Sequence, residues 1–421
     1  MTVTTRSWRQ TALRAGPWWL YGAAWLLAPL FFPSSFSLGL LSQIGIGIIV
    51  CLSYNILLGQ GGMLSFGHAV YSGAGAYLAI HTLRLLADGW PVPVVLVPLA
   101  GGLAAVLLAL VLGWVSTRKA GMPFAMITLG IGELVWAIAL MAPSVFGGEV
   151  GISADRDARP ALGSWTLGPA LHLYALVAVY TLACTGLMYG FTRTPLGRLL
   201  NAARDNPQRL GFLGFDPRMV RYLAFSIAGG FAGVSGALTA LQVEVVGADM
   251  LSSQRAGTYL LFTVLGGTSV FAGPVVGAVL MVFALAVFSA WTQAWLLYLG
   301  LGFGLVVMFM PGGIAGWFAA GGLRRAGWQL RSRPLDSLLV VLAAWMAATG
   351  WVAMVEMAYR LQLRAVMGER VDFFFWQLQA ASATSWLLCG AAAVCGMFAL
   401  ARLLRAPAAV APSNAAMERR T

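Results

Sequence analysis

The chain has 421 residues, of which 60% are apolar and only 10% charged, with a formal net charge of +12. Soluble globular proteins carry about 25% charged residues, so the composition excludes an ordinary soluble domain. The mean hydropathy is +0.82, and apolar runs recur at about the 20-residue length of a membrane-spanning helix. We therefore predict an all-α polytopic membrane protein, and we assign the positive charge to membrane loops rather than to a nucleic-acid surface.

The apolar runs predict a transmembrane domain over residues 1–320 and a C-terminal extension over 321–421. The extension has two predicted helices, at 336–357 and 382–404. The first 33 residues are interpreted as an uncleaved helix rather than a signal peptide. Whether 257–290 forms two spans or one broken span stays open. About ten helices are predicted in the core, at 17–33, 37–57, 64–86, 94–116, 122–142, 170–191, 219–242, 257–271, 273–290 and 294–311.

The distribution of basic residues sets the predicted topology. If the N-terminus with Arg6, Arg9 and Arg14 is cytoplasmic, most of the 26 basic residues fall on the cytoplasmic side, as the positive-inside rule requires. Both termini are then predicted to be cytoplasmic. The two largest cytoplasmic clusters lie in the loop 192–218 and at 324–333.

Two glycine-rich stretches interrupt the apolar pattern. They are "NILLGQGGMLSFGHAVYSGAGAY" (55–77) and "LGGTSVFAGPVVGAV" (265–279). A broken helix is tolerated in a membrane where its freed backbone faces protein or a cavity, and paired breaks in two halves favour an inverted repeat with a pathway between them. The polar residues of the first stretch are thus candidates for the pathway, although His68 also fits a satisfied packing residue; they are Asn55, Gln60, Ser65 and His68.

Glu133 lies in the middle of a predicted span, "MITLGIGELVWAIAL". A carboxylate inside a membrane is a functional candidate by default, so Glu133 joins the predicted pathway residues; the alternative is an internally hydrogen-bonded packing residue. Glu244 and Asp249 fall near the outer end of a span and are interpreted as interfacial. The outer loop 149–159 is either a contact for a soluble partner or a solvated loop.

Enzyme chemistry has little support in the sequence. A Walker A motif needs Gly-Lys-Ser/Thr, but the single lysine, Lys119, is followed by Ala120. The three histidines form no HExxH motif, and the four cysteines have no zinc or disulfide spacing. We therefore predict no catalytic residue, no metal site and no cofactor on this chain.

The longest cytoplasmic loop of the core reads "TRTPLGRLLNAARDNPQRLGFLGFDPR" (192–218). Pro195 suits the start of a helix, and Pro207 should end or kink it. The segment is amphipathic, so it either docks onto a partner or lies on anionic headgroups. Its predicted apolar face consists of Leu199, Leu200, Ala203 and Leu210.

Together these stretches resemble the permease subunits of branched-chain amino acid ABC importers of the LivM type, and related urea and amide permeases. The resemblance covers roughly residues 40–320. Its motifs occur in the family's order. Three of them are the stretches 55–77, 192–218 and 265–279 quoted above, of which the 192–218 motif continues to "MVRYLAFSIAGGFAGVSGALTA". The others are "MPFAMITLGIGELVWA", "GGEVGI" and "MFMPGGIAGW".

The resemblance implies a ten-helix importer fold in the cell inner membrane and a non-catalytic permease role. The implied partners are a LivH-like second permease subunit, two ATPase subunits and a periplasmic substrate-binding protein. A stand-alone channel or secondary transporter is the alternative from a different class. The 192–218 loop matches the family's ATPase-coupling segment. The residues that match this coupling motif are Arg198, Ala202, Ala203, Arg204, Asp205, Asn206, Gly211 and Gly214.

Residues 334–421 depart from the family pattern. The stretch 358–380, "YRLQLRAVMGERVDFFFWQLQA", combines charged residues with an aromatic cluster. It is interpreted as an interfacial segment with aromatic anchors, and its role stays open between assembly and a lipid-facing addition.

Overall fold

The computed structural model describes residues 8–90, 92–157, 166–292, 294–310, 312–321, 334–362, 370–373, 376–379 and 382–405. The chain forms two compact units, one of residues 1–287 and 302–317 and the other of residues 288–301 and 318–421. The described residues are mostly helical, which confirms the all-α prediction. The predicted arginine cluster at 324–333 and the tail beyond residue 405 lie outside the described residues.

The helices of the first unit begin at α1, in which side chains are described from Trp18 onward. Proline opens four of them, at Pro143, Pro195, Pro207 and Pro217, where the missing N–H has no helical partner to lose. In chain order the helices are α1 (Trp8–Phe31), α2 (Ser35–Asn55), α3 (His68–Ala87), α4 (Val97–Ser116), α5 (Met122–Met141), α6 (Pro143–Phe146), α7 (Ala170–Arg193), α8 (Pro195–Asp205), α9 (Pro207–Phe212), α10 (Pro217–Val243), α11 (Ser253–Gly266) and α12 (Gly273–Val282).

Shorter elements extend or connect these helices. Two turns are π-helical, Ile56–Gln60 after α2 and Phe283–Phe288 after α12, and two are 3-10 helical, Val94–Leu96 and Ala248–Leu251. A small antiparallel ribbon pairs β1 (Ile152–Ser153) with β2 (Val245–Val246). The helices α13 (Ser289–Trp291), α14 (Trp295–Phe309) and α15 (Gly313–Ala319) follow.

Each predicted span contains a helix. Among the described residues, seven helices are long and apolar enough to cross a membrane, or eight if α14 and α15 form one bent span. The region 257–290 contains two separate helices rather than one. However, α11 has only 14 residues, about 21 Å at 1.5 Å per residue, which is short of a hydrocarbon core of about 30 Å.

Glycines let the helices at the centre of the first unit pack backbone to backbone. Helix α10 packs against α2, α3 and α4. A Cβ atom on Gly75 would lie 2.1 Å from the carbonyl oxygen of Gly233, and one on Gly236 would lie 1.7 Å from that of Ser72. Small residues permit this approach in a membrane, where packing replaces the hydrophobic driving force. Gly75, in the second half of the 55–77 stretch, thus serves packing on α10.

The second unit contains a pair of packed helices, α16 (Pro334–Gln362) and α17 (Ala383–Arg405). Cβ atoms on Gly350 and Gly396 would lie 2.6 Å from the backbone nitrogen of Ala393 and 2.5 Å from that of Ala347, which makes the pair antiparallel. Between them β3 (Arg370–Phe373) pairs with β4 (Trp376–Gln379). The predicted interfacial segment therefore includes a β-hairpin. The structure describes the backbone of this hairpin but not its side chains.

Candidate transport site

The helix break predicted at 55–77 is present. Helix α2 ends in the π turn Ile56–Gln60, and residues 61–67 form irregular backbone before α3. The Tyr54 hydroxyl donates to the carbonyl oxygen of Ser65 at 2.7 Å, and the Phe66 N–H donates to Oγ1 of Thr128 at 3.2 Å. Protein groups thus take up hydrogen bonds that the interrupted helix loses, as a membrane interior requires.

A buried polar pair lies beside this break. His68 and Ser53 are both fully buried, and Nε2 of His68 lies 2.9 Å from the Ser53 hydroxyl. That hydroxyl donates its only proton to the carbonyl oxygen of Val50 at 2.8 Å. Nε2 therefore carries a ring proton and donates it to Ser53, while Nδ1 has no partner among the described residues. His68 is a buried, packed member of the break.

The other predicted pathway residues divide between two places. Asn55 and Ser65 are buried, and the side-chain oxygens of Asn55, Gln60 and Ser65 have no hydrogen-bond partner among the described residues. Glu133, by contrast, is exposed on α5. The first break therefore gathers four of the predicted residues, and Glu133 lies on a separate surface of this chain.

The two glycine-rich breaks are in contact with each other. The second break, residues 267–272 between α11 and α12, begins at Gly267 with φ of +112°. A Cβ atom on Gly59 would lie 2.9 Å from the carbonyl oxygen of Thr268. The π turn of the first break is thus in contact with the backbone of the second.

Helix α8 packs onto the same π turn and onto the two glycines that follow it. Leu200 is fully buried, and its Cδ1 atom lies 3.2 Å from the Cβ position of Gly61. The Arg204 guanidinium donates to the carbonyl oxygen of Gly59, and its side chain passes 2.7 Å from the Cβ position of Gly62. Helix α8 is therefore in direct contact with the break that follows α2.

The predicted coupling segment is a pair of short helices, α8 and α9. As predicted, it begins at Pro195 and is interrupted before Pro207; Thr194 and Asn206 cap the two helices. Leu200, Ala203 and Leu210 form the buried face. The remaining predicted coupling residues are exposed: Arg198, Ala202, Arg204, Asp205, Asn206, Gly211 and Gly214.

A cavity of about 730 Å³ lies beside the middle of α2. Helix α2 lines it with Gln43, Ile46, Gly47 and Val50, and α10, α11 and α12 supply the other helical walls. Glu149, Asp249 and Arg255 also line it. Because α2 runs from this cavity to the π turn, one helix joins the cavity to the surface contacted by α8.

Sequence reasoning missed the cavity residues. Ser235, Thr239 and Gln242 on α10 line it, and their spacing of four and three residues places them on one helix face. That polar stripe on an otherwise apolar helix is the pattern that points to a cavity. Asp249, interpreted as interfacial, also lines the cavity and lies 3.6 Å from Arg255.

Arg156 holds the outer loop near the cavity against the rest of the protein. Its guanidinium donates to the carbonyl oxygens of Leu167 at 3.0 Å and Leu241 at 3.1 Å, and it lies 3.5 Å from Glu244. These contacts anchor the loop to the end of α10. The loop around Arg156 is therefore held against the protein, while Val150 in the same loop is 89% exposed, and a contact of this loop with a soluble partner stays a prediction.

The sequence resembles several curated permeases. It is 28% identical over 287 residues to the high-affinity branched-chain amino acid transport system permease protein LivM of Escherichia coli K12, covering 62% of this chain and 65% of that relative. It is 28% identical to BraD of Pseudomonas aeruginosa, covering 55% and 78%, and 25% identical to LivH of E. coli K12, covering 64% and 90%. The chain thus spans slightly less than two thirds of that LivM relative. No solved structure matches.

The family model described as "Branched-chain amino acid transport system / permease component" matches residues 36–311. This range contains both glycine-rich breaks, the cavity and the α8–α9 segment, and it covers more than half of the chain. The resemblance inferred from the motifs is confirmed, and the chain belongs to the family of branched-chain amino acid transport permease components.

Proposed function

We propose that this chain is the transmembrane permease subunit of an ABC importer in the cell inner membrane, with both termini in the cytoplasm. It forms the translocation pathway for branched-chain or related amino acids delivered by a periplasmic binding protein, and separate ATPase subunits hydrolyse ATP. Urea or short amides are the alternative substrates. The observation that carries the proposal is the contact of α8 with the π turn that ends α2.

This contact supports a route for coupling. Closure of the ATPases moves α8, and Leu200 and Arg204 pass that movement to the backbone at Gly59–Gly62. π turns within helices are irregular and frequently mark functional sites, so this turn is suited to absorb the motion. Helix α2 then changes the shape of the outer cavity. Substrate shifts the inward–outward equilibrium only through different affinities for the two states.

Exposed apolar residues lie at the end of α9, the second helix of the coupling segment. Phe212 is 91% exposed and Leu213 69% exposed, next to the turn at Gly214 with φ of +86°. Large apolar side chains that stay exposed on a polar segment are suited to a protein contact. We assign these two side chains to the contact with the ATPase, together with the exposed residues of α8.

The exposed surface of helix α5 supports the proposal of a second permease subunit. Only 28% of its spanning window is buried within the chain, and it carries the exposed Glu133. A carboxylate at this depth is costly against lipid, so another subunit or the water-filled pathway covers this face. The similarity to both LivM and LivH is consistent with a LivH-like partner.

Deletion of Leu199–Leu210 tests the coupling assignment in the assembled transporter. The deletion removes Leu200 and Arg204, so substrate-stimulated ATP hydrolysis should disappear while the chain still inserts into the membrane with its permease partner. Unchanged stimulation in a correctly inserted variant would rule out α8 as the coupling element.

A further inference from the structure

Two arginines stack on one tryptophan at the end of α4 that we place on the cytoplasmic side. The guanidinium carbon of Arg218 lies 4.5 Å from the centre of the Trp114 ring, and that of Arg118 lies 5.8 Å from it. Both distances are within the reach of a cation–π contact, about 6 Å. Arg118 follows α4, whereas Arg218 lies in the first turn of α10. The tryptophan thus holds cations from two different helices close to each other.

Positive charge is in excess around this ring. Lys119 is exposed beside the exposed Arg118, and the half-buried Arg221 lies one turn after Arg218 on α10. The three ion pairs in the described part of the chain join other residues. Nη2 of Arg218 and Nε of Arg221 are buried without a partner. The other guanidinium nitrogens of these two arginines are accessible, and they have no hydrogen-bond partner among the described residues.

One carboxylate lies next to these four cations. Asp216 lines a small pocket together with Trp114, Arg218 and Tyr222. Its Oδ1 accepts a hydrogen bond from the backbone N–H of Arg218 at 2.9 Å and so caps α10, and its charge interacts with Arg221. Asp216 therefore offsets one positive charge, and three remain in excess.

The same tryptophan ends an exposed apolar row on α4. Leu103, Leu107 and Val111 are each more than half exposed, and Trp114 is 45% exposed. Their spacing of four, four and three residues places them on one face of the helix. Tryptophan is enriched at the boundary between the hydrocarbon core and the headgroups. The cations at Trp114 therefore lie at headgroup level, beside a face that is suited to acyl chains.

We propose that this basic cluster binds the phosphate group of an anionic phospholipid in the cytoplasmic leaflet. Basic pockets between transmembrane helices bind anionic headgroups, and the planar guanidinium fork matches phosphate oxygens. The accessible nitrogens of Arg118 and Arg218 donate to the phosphate, while the acyl chains lie along Leu107 and Val111. Because the two arginines belong to different segments, the bound lipid stabilises the packing of α4 on α10. This inference goes beyond the proposed transport function and does not depend on the substrate.

The test is native mass spectrometry of the complete chain, purified in detergent and titrated with phosphatidylglycerol or with phosphatidylcholine of the same acyl chains. The first phosphatidylglycerol molecule should bind about tenfold or more tightly than the first phosphatidylcholine molecule. An excess of inorganic phosphate should not displace it, because inorganic phosphate gains nothing from the apolar row. Equal affinity for the two lipids would overturn the proposal and favour an acidic protein surface as the partner. Displacement by inorganic phosphate would overturn the lipid as the ligand.

Two variants and a control localise the site. Arg118→Gln and Arg218→Gln should each weaken phosphatidylglycerol binding about fivefold and leave phosphatidylcholine binding unchanged. Arg118 is exposed, so its variant tests the proposal even if Arg218→Gln fails to fold. Arg209→Gln is the matched control, because Arg209 is exposed on α9 on the same predicted side of the membrane and stacks on no ring among the described residues.

The control variant should bind phosphatidylglycerol as the wild type does. An equal loss of affinity in Arg209→Gln and Arg118→Gln would mean that any cytoplasmic arginine attracts the lipid, which would overturn a specific site. Wild-type affinity in a folded Arg118→Gln variant would overturn it as well.

Discussion

Substitution of Phe212 tests the assigned ATPase contact. Phe212 is 91% exposed in the isolated chain, so Phe212→Ser removes almost no internal packing and should leave permease stability unchanged. If the ATPase covers this ring, the variant loses the burial of one phenylalanine, about 1.5–3 kcal/mol. At 1.4 kcal/mol per tenfold, the ATPase should bind about 10–100-fold more weakly.

The assay is equilibrium binding of purified ATPase to the permease pair in nanodiscs, with thermal unfolding of the permease as the stability control. Phe36→Ser is the matched control, because Phe36 is 71% exposed at the opposite end of the helices and should not affect ATPase affinity. Equal ATPase affinity of the wild type and a stable Phe212→Ser variant would refute the assignment of this surface.

Three further predictions follow from the packing and the coupling contact. Gly75→Ala places a methyl group 2.1 Å from a backbone oxygen and should destabilise the protein by about 1–3 kcal/mol, whereas Gly130→Ala, with nothing within 4 Å, should leave the thermal unfolding midpoint unchanged or slightly higher; equal midpoints would contradict the close helix contact. Arg204→Ala removes the hydrogen bond to Gly59 and should lower substrate-stimulated ATP hydrolysis severalfold without lowering basal hydrolysis, and parallel losses would indicate a folding defect instead. Glu133→Gln should change the uptake rate if this face borders the pathway, and normal uptake at normal expression would make Glu133 a packing residue.

The positions of the helices could be predicted because they follow from local sequence. Apolar runs of bilayer length marked the spans, and proline at 195 and 207 fixed the starts of α8 and α9. The glycines and polar residues of 55–77 predicted the broken helix, since a regular lipid-facing helix would not accept them. These features depend on residues near one another in the chain.

The contacts that give the site its proposed mechanism could not be predicted in this way. Arg204 reaches Gly59 across 145 positions of sequence, and the cavity takes its walls from helices far apart in the chain. Asp249 was interpreted as interfacial because its neighbours in sequence lie at a helix end. Only the tertiary packing places it in the lining of a cavity.

The central claim is that this chain transports substrate as part of an ATP-driven importer. The most direct measurement is radiolabelled leucine uptake into vesicles that contain the permease pair, the ATPases and the binding protein. We predict uptake with ATP and none with a non-hydrolysable ATP analogue. Equal uptake in both conditions would contradict the account and favour a channel or secondary transporter.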